Sequence, residues 1–248
     1  MLKIIVLCLM GFTAAFVDSI AGGGGLISVP GFLMAGLDPH IALGTNKFCA
    51  TSGSFTSSLK FASSGKVNFK LLKYLIPFTL TGSVLGVTIV QFISPDFLRG
   101  IVLVLVLIIG IYSLFSKSLG RKDNFSGMTK LNLFYGIVLA FSLGFYDGFF
   151  GPGTGSFLIF GFIKIFKFDF TKSIGNAKFL NFVSNISALI MFSLHHQIQY
   201  KLGLPVAIFM IIGARLGTKL AIKNGVKIIK PIFVTISLAI AIKMMFEL

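Results

Sequence analysis

The chain has 248 residues, 55% hydrophobic and only 12% charged, with a mean hydropathy of +0.96 and a net charge of +15. A soluble domain of this length needs far more charge to cover its surface. Apolar stretches of about 20 residues recur instead, long enough to cross a roughly 30 Å hydrocarbon core as helix. The alternating pattern of a transmembrane barrel is absent, so the expected fold class is all-α, a polytopic integral membrane protein. The bases sit between apolar spans and no nucleic-acid signature accompanies them, so the expected partner is the lipid bilayer and not nucleic acid.

Residues 1–16 have some features of a signal peptide: Lys3, an apolar run, then Ala14 and Ala15. A similar stretch recurs in mid-chain at 133–146, so the N-terminus is read as mature structure. Four hydrophobic stretches follow in the first half, at about 4–36, 43–63, 71–92 and 98–116. A basic linker at 119–130 leads to four more, at about 131–167, 175–195, 202–222 and 228–246. The first stretch of each half is too long for one ordinary helix. It is also broken, by Gly22-Gly23-Gly24-Gly25 or by Gly151-Pro152-Gly153. Each is therefore one interrupted helix or a hairpin dipping into the membrane.

The halves resemble each other. An offset of 131 residues aligns 38–86 with 169–217 without a gap, giving 11 identities in 49 positions. Asp38/Asp169, Lys47/Lys178 and Lys70/Lys201 are the telling pairs, because charges are scarce. Asp18 matches Asp147 with a two-residue shift. The expected repeats are 1–118 and 131–248. If each broken stretch crosses once, the bases split 10 against 11 between the two sides. If each is a hairpin returning to its own side, they split 16 against 5, the positive-inside bias. The expected architecture is thus two inverted repeats, each a broken or re-entrant hairpin plus three transmembrane helices, with both termini outside the cytoplasm.

Few residues can carry chemistry. Asp18 and Asp147 sit beside the glycine breaks, as proton or cation sites or as caps of the broken helices. Asp38 and Asp169 read as N-terminal caps, Asp96 and Asp123 as loop residues and Glu247 as terminal. Gly23, Gly24, Gly25, Gly153 and Thr154 start half-helices whose free N–H groups favour anions, or they serve close packing. Lys47, with Thr45 and Asn46, and Lys178, with Asn176, head otherwise apolar helices. They are candidate ligands of an anion, or interfacial lysines that reach for water. Asn181 and Asn185, spaced i, i+4, extend the stripe of Lys178. Arg215 is a further anion ligand, an aspartate partner or an interfacial residue. Cys8 and Cys49 read as small core residues. His40, His195 and His196 lack metal-ligand spacing, so no metal or other cofactor is expected. No hydrolase motif appears, so an enzyme is not expected.

The run Asp18-Ser19-Ile20-Ala21-Gly22-Gly23-Gly24-Gly25-Leu26-Ile27-Ser28-Val29-Pro30, followed by Gly44-Thr45-Asn46-Lys47, resembles the sulfite exporter TauE/SafE family. In the second half, Gly151-Pro152-Gly153-Thr154-Gly155 and Ala177-Lys178-Phe179-Leu180-Asn181 look like its partner. The resemblance implies an eight-segment duplication in the cell inner membrane that moves sulfite or organosulfur anions such as sulfonates. The mechanism it suggests is alternating access about a site made by both breaks. Lys47, Lys178 and the half-helix N-termini would hold the small anion there, and Asp18 or Asp147 would couple protons. Two other readings stand beside it: a channel for small anions, and a membrane partner that hands sulfur species to an enzyme.

Overall fold

The computed structural model describes residues 2–98, 100, 101, 104 and 122–224, and among these it is helical with no strand. The main helices are α1 (Leu2–Ala21), α2 (Gly25–Met34), α3 (Pro39–Ser63), α4 (Phe69–Val90), α5 (Lys130–Phe149), α6 (Thr154–Phe166), α7 (Phe170–Leu194) and α8 (Tyr200–Asn224). The fourth predicted stretch of each half, at 98–116 and 228–246, lies almost wholly outside the described residues. So do Arg99, Lys117, Arg121, Lys227, Lys230, Lys243 and Glu247.

Five helices, α1, α4, α5, α7 and α8, are long and apolar enough to cross a membrane. Helix α3 matches α7 in length, at 25 residues, but its buried side carries Thr45, Asn46, Lys47, Ser54, Ser57 and Ser58. These side chains need partners within the protein, which is why α3 sits inside the bundle. The outer surface is apolar, with Leu9, Phe92, Leu131, Phe134, Leu204 and Ile208 all exposed. Such a surface suits lipid, not water. The chain is a multi-pass membrane protein.

The predicted caps are present. Asp38 accepts the His40 amide at 3.0 Å, and Asp169 accepts the amides of Thr171 and Lys172 at 2.8 and 3.0 Å. Thr129 and Asn132 form a reciprocal capping box at the start of α5. Cys8 and Cys49 are free and buried, as core residues.

Both breaks are hairpin turns. Helices α2 and α6 have only 10 and 13 residues, about 15 and 20 Å long at 1.5 Å per residue, short of a full crossing. Gly24 packs on Ala14 and Asp18, and Gly31 on Met10 and Leu7, so α2 doubles back along α1. Gly161 packs on Leu139 and Gly136 on Phe166, so α6 doubles back along α5. The two turns also meet. A Cβ on Gly22 would lie 2.3 Å from the Gly155 backbone, and one on Gly25 would lie 2.9 Å from Pro152. Only glycine permits that approach at Gly22, where φ is also +68°.

Helix pairs elsewhere touch backbone to backbone. A Cβ on Gly82 or Gly86 of α4 would lie 2.3 or 2.1 Å from the carbonyl oxygen of Phe141 or Phe145 on α5. One on Gly213 or Gly217 of α8 would lie 2.2 or 2.3 Å from that of Phe12 or Phe16 on α1. Lipid tails offer no hydrophobic drive for helix association, so small residues and close van der Waals contact supply it. Residue numbers rise together in both pairs, so each pair runs parallel. Helices α3 and α7 cross the centre antiparallel: Gly44 meets Gln197, Phe55 meets Phe182, and Gly175 meets Lys66.

Candidate functional site

Lys47 is the ninth residue of α3 and Lys178 the ninth of α7. At 1.5 Å per residue each lies about 12 Å inside its helix. They are 1% and 0% exposed, so neither reaches an interface. Because α3 and α7 are antiparallel, the two lysines enter the bundle from opposite ends.

A buried ammonium needs a counter-charge and hydrogen bonds, since desolvating it alone is very costly. Each lysine finds its carboxylate on the hairpin of the other half. Lys47 Nζ lies 3.0 Å from Asp147 Oδ1, and Lys178 Nζ lies 2.6 Å from Asp18 Oδ2. Sequence alone leaves the lysines as anion ligands or interfacial residues and the aspartates as proton or cation sites or helix caps. The structure joins them, and the four charges cancel.

The two pairs are furnished differently. Asp147 also accepts Ser184 Oγ at 2.5 Å and Asn181 Nδ2 at 3.4 Å. Lys47 donates to Asn185 Oδ1 at 3.1 Å, and Asn185 Nδ2 donates to Ser54 Oγ at 3.4 Å. Asp18 instead accepts the backbone amides of Gly23 and Gly24 at 3.0 and 3.3 Å, so it also caps the break. These amides, predicted for the substrate, are thus already bonded. The Asp147 side chain is 2% exposed and that of Asp18 is 23%.

A cavity of about 40 Å³ opens between the pairs. That is room for a few waters or one small ion. The first half contributes Asp18, Gly24, Gly25, Asn46 and Lys47 to its lining, and the second Asp147, Gly153, Asn181 and Asn185. Ser28 also lines it, donating to Asn46 Oδ1 at 2.6 Å. Lys178 stands just behind, next to Gly155.

Other predicted residues serve the fold. Thr45 Oγ1 accepts the Gln199 amide at 2.9 Å, and Asn176 Oδ1 accepts the Asn68 amide at 2.8 Å. Thr154 Oγ1 donates to the Gly151 carbonyl at 2.7 Å. Gly23 contributes its amide to Asp18 and does not line the cavity. Arg215 is exposed on α8, and the two aspartates pair with the lysines and not with it. Ser28 and Ser184 were missed. Ser184 follows Asn181 by three positions, on the same helix face, and that spacing was the available signal. His40 bonds the Val90 carbonyl through Nε2 at 3.0 Å. Among the described residues no three His, Cys, Asp or Glu side chains gather as metal ligands.

The sulfite exporter TauE/SafE family matches residues 7–244. The chain is 38% identical over 242 residues to the "Probable membrane transporter protein" of Haemophilus influenzae, covering 98% of this chain and 94% of that one. It is 36% identical over 242 residues to the "Probable membrane transporter protein YfcA" of Escherichia coli K12, covering 98% and 89%. It is also similar to the "Probable membrane transporter protein ORF9" of Sinorhizobium sp, 38% identical over 95% of this chain and 90% of the relative. No solved structure matches it. With a match running almost from end to end, the chain belongs to the sulfite exporter TauE/SafE family of membrane transporters.

Proposed function

We propose that this protein is a secondary transporter that moves small sulfur-containing anions, sulfite or organosulfonates, across the cell inner membrane by alternating access. The observation that carries the reading is the pair of buried lysines, each matched to an aspartate of the opposite hairpin, around one small cavity. With both pairs closed the site is neutral and offers an anion no free cation. A proton on Asp18 or Asp147 removes that carboxylate's charge and releases its lysine. A monoanion then takes the carboxylate's place, so that proton and anion occupy the site together.

The halves act as inverted repeats, 1–118 and 131–248, joined by a basic cytoplasmic linker at 119–130. Recurring contacts support this: Gly44 and Gly175, 131 residues apart, meet the carbonyls of Gln197 and Lys66, themselves 131 apart. Gly82 and Gly213, also 131 apart, meet those of Phe141 and Phe12, which are 129 apart and so carry the two-residue shift of Asp18 and Asp147. The contact of Gly22 with Gly155 is the pivot on which the hairpins exchange access. The 16-to-5 division of bases supports termini outside the cytoplasm.

A thermal-shift panel on the purified protein tests the cargo. Sulfite or a sulfonate is expected to stabilise it, by about 2.7 kcal/mol at a hundredfold excess over Kd. Stabilisation by carboxylates or divalent metals alone, or by nothing in the panel, would count against the reading.

A further inference from the structure

A second cavity, of about 340 Å³, opens at one end of the bundle between the α3–α4 loop, residues 122–129 and the start of α7. Lys66, Lys70 and Lys172 line it, with Phe125 and Phe168 as an apolar wall, their ring centroids 4.5 Å apart. Lys172 is paired with Asp123. Among the described residues Lys66 and Lys70 have no carboxylate partner.

The opposite end of the molecule is an internal control. Shifted by 131 residues, Lys66 becomes Gln197, Asn176 becomes Thr45, and Lys172 becomes Ile41. Only Lys70 keeps its charge, as Lys201. Yet the backbone bonds are the same at both ends. Asn176 accepts the Asn68 amide as Thr45 accepts that of Gln199. Gly175 and Gly44 touch the Lys66 and Gln197 carbonyls alike. The fold therefore needs the backbone of this corner and does not need its lysines. The positive-inside bias accounts for a basic end, and two unpaired cations over an aromatic wall leave that end able to hold a ligand.

The geometry points to an anionic phospholipid as the occupant: its headgroup phosphate between Lys66 and Lys70, its glycerol and upper acyl chains against Phe125 and Phe168. The corner lies where α4 and α7 begin, two helices long and apolar enough to cross a membrane, and the ends of such helices lie at headgroup depth. Basic pockets between helices at that depth suit such headgroups. Phe69, half-exposed and packed edge-on to Phe179 at 5.2 Å, continues the apolar wall toward the lipid tails.

The test is native mass spectrometry of the full chain in detergent, titrated with phosphatidylglycerol, phosphatidylcholine and inorganic phosphate. Phosphatidylglycerol is expected to bind at least tenfold more tightly than phosphatidylcholine, and millimolar phosphate is expected not to displace it. The Lys66→Gln/Lys70→Gln variant should weaken it about thirtyfold, and Lys201→Gln should leave it unchanged. Should the double variant not purify as folded protein, Lys70→Gln alone gives the same reading at about fivefold. Equal binding of the two lipids, undiminished binding by the double variant, or displacement by free phosphate would overturn the proposal.

Discussion

The two ion pairs contain the same residues at matched places, yet they differ in what surrounds them. Asp147 and Lys47 are sealed by side chains of α7, namely Asn181, Ser184 and Asn185. Asp18, the partner of Lys178, instead accepts the backbone amides of the first hairpin turn and is partly exposed. One pair is locked into the protein and the other is open on one side. Under the proposed mechanism this difference would distinguish one facing state from the other, with the partly exposed Asp18 as the carboxylate that takes the proton.

The largest effect is expected at the sealed pair. Asp147→Ala leaves Lys47 buried without a counter-charge and should lower stability by about 3–5 kcal/mol in thermal unfolding. Removing both charges, as Lys47→Met/Asp147→Leu, should restore much of that stability without restoring transport. A double variant as unstable as Asp147→Ala would mean that the pair is not coupled as described. At the open pair, Asp18→Asn keeps acceptor capacity for the turn amides and is partly solvated. It also strips the buried Lys178 of its counter-charge, so its stability loss should be about 2–4 kcal/mol, somewhat below that of Asp147→Ala, while proton-driven flux is lost. Equal losses for the two aspartates would erase the distinction between the pairs.

Glycines four residues beyond each aspartate sharpen the comparison. At Gly22, alanine meets the Gly155 backbone and a φ of +68°. Gly22→Ala should therefore cost about 1–3 kcal/mol and slow transport by obstructing the hairpin contact. At Gly151, where φ is +100°, alanine is strained as well, and the nearest atom to a new Cβ is Lys47 Nζ, at 2.9 Å. Gly151→Ala should act on the ion pair itself, raising the apparent KM for the anion more than it lowers kcat. The smallest effect is expected at Arg215: Arg215→Gln should change stability by no more than about 0.5 kcal/mol and leave flux intact.

Much of this was legible in the sequence, and the failures are as physical as the successes. Asp38 and Asp169 stood just before apolar helices, where only a cap suits a carboxylate. The glycine runs announced breaks, and the count of bases favoured hairpins over interrupted helices. The pairing of Lys47 with Asp147 was hidden because in a duplicated chain each lysine has two equivalent aspartates, and spacing cannot choose between them. Thr45 and Asn176 were grouped with the lysines two positions on. Two residues turn a helix by about 200°, so these side chains point away from the cavity and bond the neighbouring loops instead. Arg215 lies apart from the cavity for a similar reason: its neighbour Ala214 faces the core and it faces outward.

The most direct test of the central claim is anion counterflow in proteoliposomes, with wild type beside Lys47→Met and Lys178→Met. The lysine site predicts that wild type exchanges sulfite or a sulfonate, faster under an inward proton gradient, and that each variant abolishes exchange while still purifying as folded protein. Exchange at the wild-type rate in both variants would contradict it.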